Sequence, residues 1–503
     1  MTILLFARRF LSEYARNPVN LIVLVLVPIV FVVVASGSMA DTARLLGGPG
    51  GLEVQTATAG WAAAFLAAVA MYFQTRAARA VDRRLVLAGL RPIRLVSARL
   101  GAGLALALLV SAAALLALEI RGAAEPSWRV LAGTLMFAGV YLAIGALVGA
   151  LVRNPVNGTV LILFVWIVDV FFGPAIASPD RLVTRWLPTH FVTLWMVDLP
   201  SRHGGRLGDL GWALTWTIGS LAVGWLVIVA TTRVTRRRSR FLRTDSRWPR
   251  FATGVRMGLR DYGRNPVLWA LLIIVPGVFI LMAEAATPEE STTMALVDDG
   301  GRVELTFWLP DVHAGTMAPI AIASLAALAG LFVVLDSRSG DQRLVQAGFR
   351  AIPLFSARLA VIIFAVLLVT GVSLAVTATV FDARQWPVYA GGSVLLGLTY
   401  GLLGVCLGPV FGRVSGVFIA FLVPFLDVGI GQSPMLRAEP PAWARPLPGY
   451  GASRVLLDGG LTADFNEIGS LLLALAWLLV LGVAAAIVWR HAPAAPVRRT
   501  SGS

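Results

Sequence analysis

Residues 84–100 read RLVLAGLRPIRLVSARL and residues 343–359 read RLVQAGFRAIPLFSARL, with twelve of seventeen positions identical at a separation of 259 residues. What these two arginine-studded segments mean depends on what flanks them. The chain is 57% hydrophobic and 14% charged, with a mean hydropathy of +0.80, far to the apolar side of ordinary soluble domains. Apolar runs of about 20 residues, enough for a helix to cross a hydrocarbon layer of about 30 Å, recur throughout. Twelve are discernible, at 19–38, 59–75, 97–119, 129–151, 157–176, 209–231, 267–284, 317–335, 357–381, 387–410, 415–431 and 467–489. The first is not a cleaved leader, because about eighteen polar or amphipathic residues precede it and it is only the first of many. The pattern predicts an all-α polytopic membrane protein.

Composition removes several function classes. All 42 basic residues are arginine, so a phosphate-binding loop of the G-x-x-x-x-G-K-[ST] type, which needs its lysine on the β and γ phosphates, is excluded. The single cysteine, Cys406, falls in an apolar run, and His190, His203, His313 and His491 are scattered. No disulfide framework, metal-ligand spacing or catalytic constellation is therefore expected. The net charge of +15 is dispersed between the apolar runs and not gathered into a basic domain, which argues against nucleic acid. The arginines concentrate in 1–18, 76–99, 232–264, 338–358 and the tail after Arg490, whereas 284–316 carries Glu289, Glu290, Asp298, Asp299 and Asp311 with Arg302. By the positive-inside rule the basic segments and both termini are cytoplasmic.

The repetition extends beyond the opening segments. YARNPV at 14–19 matches YGRNPV at 262–267, and Pro28 matches Pro276. Asp169 and Val170 match Asp427 and Val428, Arg185-x-Leu187-Pro188 matches Arg445-x-Leu447-Pro448, and Asp198 matches Asp458. Six spans per copy make both enter the membrane in the same direction, so the copies are related by a pseudo-two-fold axis along the membrane normal. The expected division is a first six-span domain at 1–231, an arginine-rich cytoplasmic linker at 232–252, a second six-span domain at 253–490 and a tail at 491–503.

Local patterns refine this outline. Ile3, Phe6, Phe10 and Tyr14 form one apolar stripe on a helix that lies in the membrane interface, which Asn17-Pro18 terminates. The alternating residues around Asp-Asp-Gly-Gly predict a β-hairpin over 292–307, and 43–57 a shorter one. Arg79 to Ala88 makes a helical stub stopped by Gly89 in a left-handed conformation, as Gly348 stops its copy. Topology needs only charge, yet Leu85, Val86 and Leu90 recur as Leu344, Val345 and Phe349. A repeated apolar face points to a protein partner.

Interfacial helix, Arg-Asn-Pro turn, proline-bearing first span, basic helical loop after the second span and long external segment before the sixth occur twice in this order. That constellation resembles the ABC-2 type permeases, and in particular the fused twelve-span exporters of the tetronasin and polyketide antibiotic type in actinobacteria, with type V exporter-like transmembrane domains. The resemblance implies coupling helices at 79–92 and 338–351 that contact an ATPase through Arg83, Arg84, Leu85, Gly89, Arg91, Arg343, Leu344, Gly348 and Arg350. It implies connecting helices at 2–17 and 250–265 with Phe10, Glu13, Tyr14, Asp261 and Tyr262. It further implies two copies of a separate nucleotide-binding subunit that carry ATP and magnesium, with no cofactor on this chain, an outward-moving hydrophobic or amphipathic substrate, and a bacterial plasma-membrane location.

Within the spans, Asp169 and Asp427 are costly at membrane depth. Capping of the helical segments at 173–208 and 431–465 is their expected role, with gating and proton coupling as alternatives. Phe65, Phe73, Phe164, Trp166, Phe421 and Phe425 lie on the second and fifth spans of a half and, with the two aspartates, are candidate pathway or gate residues. Two competing readings remain. A proton-coupled twelve-span antiporter shares the Asp82-Arg83-Arg84 element but departs from its pattern at Leu85 to Ala88; a non-transporting scaffold explains the loops but not a duplicated pathway.

Overall fold

The computed structural model describes residues 2–15, 18–122, 128–176, 184–201, 203–232, 255, 266–298, 301–346 and 351–491. Gly348, Arg350, Asp261, Tyr262, the linker beyond 232 and the tail beyond 491 lie outside the described residues, as do the side chains of Glu13 and Tyr14. The elements are α1 (Thr2–Ala15), α2 (Pro18–Leu45), α3 (Gly51–Leu87), α4 (Pro92–Ile120), α5 (Trp128–Leu151), α6 (Pro155–Phe171), α7 (His190–Val197) and α8 (Gly205–Thr232). They continue as α9 (Pro266–Ala286), β1 (Ser291–Asp298), β2 (Gly301–Trp308), α10 (Leu309–Gln346), α11 (Ala351–Thr377), α12 (Trp386–Pro424), a π-helical turn (Phe425–Gly431), α13 (Gly449–Leu461) and α14 (Ile468–His491).

Nine helices among the described residues are long and apolar enough to cross a membrane, and two shorter apolar helices, Pro155–Phe171 and Ala270–Ala285, take the places of the fifth and seventh runs. One of the nine, Trp386–Gly431, holds both the tenth and eleventh runs. It breaks at Gly412, whose φ of +70° is open to glycine and strained for any residue with a Cβ. The chain is an all-α polytopic membrane protein, with one antiparallel hairpin at the end of the bundle opposite the arginine-rich turns.

α3 and α10 form the centre, and almost every side chain in their apolar stretches is buried. Each is an alanine-rich rod that lets a neighbour approach closely. A Cβ on Gly145 of α5 would overlap the Ala68 carbonyl oxygen, and one on Gly404 of α12 would overlap the Ala327 oxygen. Both residues of that contact recur at a spacing of 259. Between lipid-immersed helices such small-residue seams replace the hydrophobic drive that water supplies elsewhere.

The hairpin runs Ser291 against Trp308 through Asp298 against Gly301, where the alternation around Asp-Asp-Gly-Gly places it. Arg454 of α13 holds it down, donating to the Ala295 carbonyl at 3.0 Å while pairing with Glu467 at 2.9 Å. The shorter hairpin expected at 43–57 does not form. Ala43 to Leu45 complete α2, Gly51 to Ala57 begin α3, and the glycines gather in the five-residue turn between them, with positive φ at Gly47 and Gly50. The segment lacks the β-branched alternation of its counterpart, and Val54, Thr56 and Ala57 are already buried on a helical period.

The helical turns expected at 79–88 form as the last turns of α3, which runs unbroken for 37 residues, roughly 55 Å. Nothing between Phe73 and Leu87 breaks the helical pattern, so the arginines extend the span beyond the hydrocarbon layer. Gly89, at φ +94°, then reverses the chain into Pro92.

Candidate transport pathway and its basic end

The turn from α3 into α4 is closed by an ion pair. Arg99 donates to Asp82 through Nη2 at 2.6 Å and Nε at 3.1 Å, and both side chains are almost fully buried. Arg358 donates to Asp341 with the same two distances. A bidentate fork between groups on both arms of a helical hairpin sets its angle. In the first half the clamp reaches further: the Arg99 guanidinium lies 4.2 Å above the Phe10 ring. The amphipathic helix α1, on which Phe6 and Phe10 touch one turn apart, is thereby tied to the α3–α4 hairpin.

Around the clamp, the tip faces solvent. Arg83, Arg84, Gly89 and Arg91 are exposed and Leu85 is half-buried; Arg343 is exposed and Leu344 half-buried. Val81, Leu87 and Ile93 add exposed apolar surface. Among the expected connecting-helix residues, Phe10 is brought to the clamp, and Glu13 and Tyr14 lie on the last turn of α1.

Deeper in the bundle, rings from both halves meet. Phe65 of α3 lies 5.3 Å from Trp166 of α6 and 5.1 Å from Phe421 of α12; Trp166 and Phe421 are 5.4 Å apart, and Phe421 stacks on Phe425 at 5.7 Å. Phe31 of α2 bridges Trp166 and Phe425 at 5.9 and 5.8 Å. All are buried, and the indole N–H of Trp166 donates to the Trp61 carbonyl at 2.8 Å. Thus Phe65, Trp166, Phe421 and Phe425 form one aromatic plug on the seam between halves. Phe73 is not part of it; it packs 4.9 Å from Tyr72. Phe164 is half-buried against the core.

The two aspartates sit one layer beyond the plug. Asp169 accepts from the Tyr141 hydroxyl at 2.9 Å and from the Thr189 hydroxyl and backbone N–H at 2.6 and 3.2 Å. Asp427 accepts from the Tyr400 hydroxyl at 2.6 Å, the Gln432 amide at 3.0 Å and the Gly449 N–H at 2.8 Å. Thr189 precedes α7 and Gly449 opens α13. Each carboxylate therefore ties the start of a short helix to a span and to a tyrosine of the preceding span. Gly449 has no room for a Cβ, which would meet both Asp427 oxygens at about 3.0 Å. Among the described residues no cluster of metal-ligating side chains occurs.

Arg99, Arg358, Tyr141 and Tyr400 are absent from the residues singled out from sequence. Their signal was nonetheless present: Asp and Arg 17 positions apart, and Tyr and Asp 28 or 27 apart, recur in both copies.

Long buried spans, a seam of facing aromatic rings and paired hairpins at one end define a multi-pass membrane protein. Residues 58–233 match the family model described as ABC-2 family transporter protein. That stretch is similar to an ABC-2 permease domain and spans about a third of the chain, covering most of its first half. No curated protein matches the chain.

Proposed function

We propose that this chain is a transmembrane permease subunit of an ATP-driven exporter for a hydrophobic or amphipathic compound, and that separate ATPase subunits dock on its α3–α4 and α10–α11 hairpins. The observation that carries this reading is the pair of clamps, Asp82–Arg99 and Asp341–Arg358, with matching distances. A hairpin held at a fixed angle transmits displacement of its tip to the helix behind it, and each of these helices is a central rod of its half. The exposed tip, with arginines among Val81, Leu87 and Ile93, has the mixed character of a docking surface.

In this reading the basic end is cytoplasmic and the membrane is the bacterial plasma membrane. Each ATPase subunit binds ATP and magnesium and takes one hairpin, since the chain has no lysine for a phosphate loop of its own. Closure of the subunits on ATP favours one arrangement of α3 against α10, because only a difference in affinity between two states shifts their balance. Separation of α3 from α12, which packs on α10, pulls Phe65 away from Phe421 and opens the plug, whose apolar lining suits an apolar cargo and gives no ring of fixed charge for a small ion.

The test is a photo-crosslinking residue at Leu87, with one at Leu207 at the opposite end as control. An adduct with an ATPase subunit from Leu87 alone supports the docking assignment. Adducts from neither position, in membranes where the ATPase is present, overturn it.

A further inference from the structure

We infer that the transported or bound compound is an amphiphile with an acidic head group, received at an arginine-lined mouth directly below the aromatic plug; this rests on the pathway reading above. Along α3, Trp61, Phe65, Ala68, Tyr72, Arg76 and Arg79 recur at three- and four-residue steps and so share one face. That face passes from the plug to a cationic group in about 16 Å, the rise of the eleven residues from Phe65 to Arg76.

The group draws on both halves. Arg76 donates through Nε to the Arg153 carbonyl at 3.3 Å, and Tyr72 donates to the Asn154 carbonyl at 3.1 Å. From the other half, Arg413 pairs with Asp336 at 2.5 Å. The Tyr72 hydroxyl lies within the electrostatic field of Arg76, Arg79, Arg413 and Asp336, and Asp336 within that of Arg76 as well. Arg79 stands in turn near Arg76 and Arg153. Arg76, Arg79 and Arg413 thus gather around the Tyr72 hydroxyl with Asp336, which Arg413 already pairs, and Arg153 stands beside Arg79. Nη2 of Arg79 is buried with no hydrogen-bond partner among the described residues.

Topology alone does not demand this placement. At the corresponding depth of α10, 259 residues on from Tyr72 and Arg76, stand Leu331 and Leu335, whereas Arg79 has its counterpart in Arg338. A half-buried guanidinium with a buried, unpartnered nitrogen is costly unless an anion completes it. A carboxylate or phosphate on an apolar tail does so with its head at Arg76 and Arg79. Membrane lipids and dissolved amphiphiles share this chemistry.

The test uses the full chain in discs of neutral phosphatidylcholine, without ATPase or ATP, so that its outcome is independent of the docking assignment. Binding of dodecyl phosphate is compared with that of dodecyl maltoside and dodecyltrimethylammonium. The expected result is selective binding of the phosphate that weakens at least tenfold in Arg76→Gln/Arg79→Gln and not in Arg94→Gln, an exposed arginine of the same end. Discs containing phosphatidylglycerol separate the sources: competition identifies a lipid head group as the natural occupant, and its absence a dissolved compound. Equal binding of all three amphiphiles, or no loss in a double variant that still elutes as a single species and melts normally, overturns the proposal.

Discussion

Arg99 grips Asp82 through two contacts of 2.6 and 3.1 Å, inside a hairpin whose tip is otherwise exposed. Two charges of opposite sign, both almost fully buried, are stable only as a pair. Removing one leaves the other uncompensated, at a cost of about 3–5 kcal/mol. Asp82→Ala is therefore expected to lower the unfolding midpoint markedly in detergent, and Arg99→Ala to do the same. Replacing both by apolar residues of similar volume, Asp82→Leu with Arg99→Met, is expected to recover most of the loss. Midpoints from a fluorescence melt of the four proteins check this, and additive losses in the double variant contradict it.

Gly145 and Gly404 occupy matching contacts, and the same response is expected from each. A methyl group at either position collides with a backbone oxygen that no rotamer change can move. Gly145→Ala and Gly404→Ala are expected to cost about 1–3 kcal/mol each by overpacking. Gly101→Ala and Gly219→Ala, where nothing lies within 4 Å of the new carbon, are expected to be neutral or slightly stabilising. The yield of monodisperse protein and the melting midpoint of the four variants decide it.

Tyr141→Phe and Tyr400→Phe each remove one donor to a buried carboxylate while leaving the ring. The expected destabilisation is about 1–3 kcal/mol, confined to the end of the bundle where Asp169 and Asp427 tether α7 and α13. Hydrogen exchange is the measurement. Faster exchange in 190–197 for Tyr141→Phe and in 449–461 for Tyr400→Phe is expected, with α1 and the α3–α4 hairpin unchanged.

Phe421 touches Phe65, Trp166 and Phe425 and so links most of the plug. Phe421→Ala leaves a void and a costly core, about 3–5 kcal/mol by analogy with buried phenylalanines elsewhere. Phe421→Leu keeps most of the volume and loses the ring contacts. Passive leak of a hydrophobic dye from proteoliposomes is expected to rise several-fold in the alanine variant and little in the leucine variant. Phe73→Leu, outside the plug, is expected to leave the leak at its original level.

The sequence announced its spans clearly because membrane helices declare themselves by length and apolarity, and the hairpin at 291–308 because period-two alternation around Asp-Asp-Gly-Gly has few other solutions. The failures share one cause. Where 43–57 was read by analogy to its counterpart, local helix-compatible residues prevailed. Where the second apolar run was ended at 75, the helix continues through the arginines to Leu87, because arginine is a good helix former. The clamps and the tyrosine–aspartate pairs escaped because their partners stand 17 to 28 residues apart on different helices, and local patterns do not show contacts between helices. The plug was legible only as separate aromatic residues; that Phe65 meets Phe421, and Phe73 does not, depends on helix rotation within the bundle.

The central claim is that this polypeptide moves its cargo only when a separate ATPase acts on the clamped hairpins. Proteoliposomes containing the chain alone under a pH gradient, and the chain with its partner ATPase and ATP, test it most directly, with efflux of a dodecyl-chain fluorophore as the readout. Efflux in the ATP-driven vesicles alone, abolished when the ATPase is omitted, is the predicted result. Efflux driven by the pH gradient with no other protein present would contradict it.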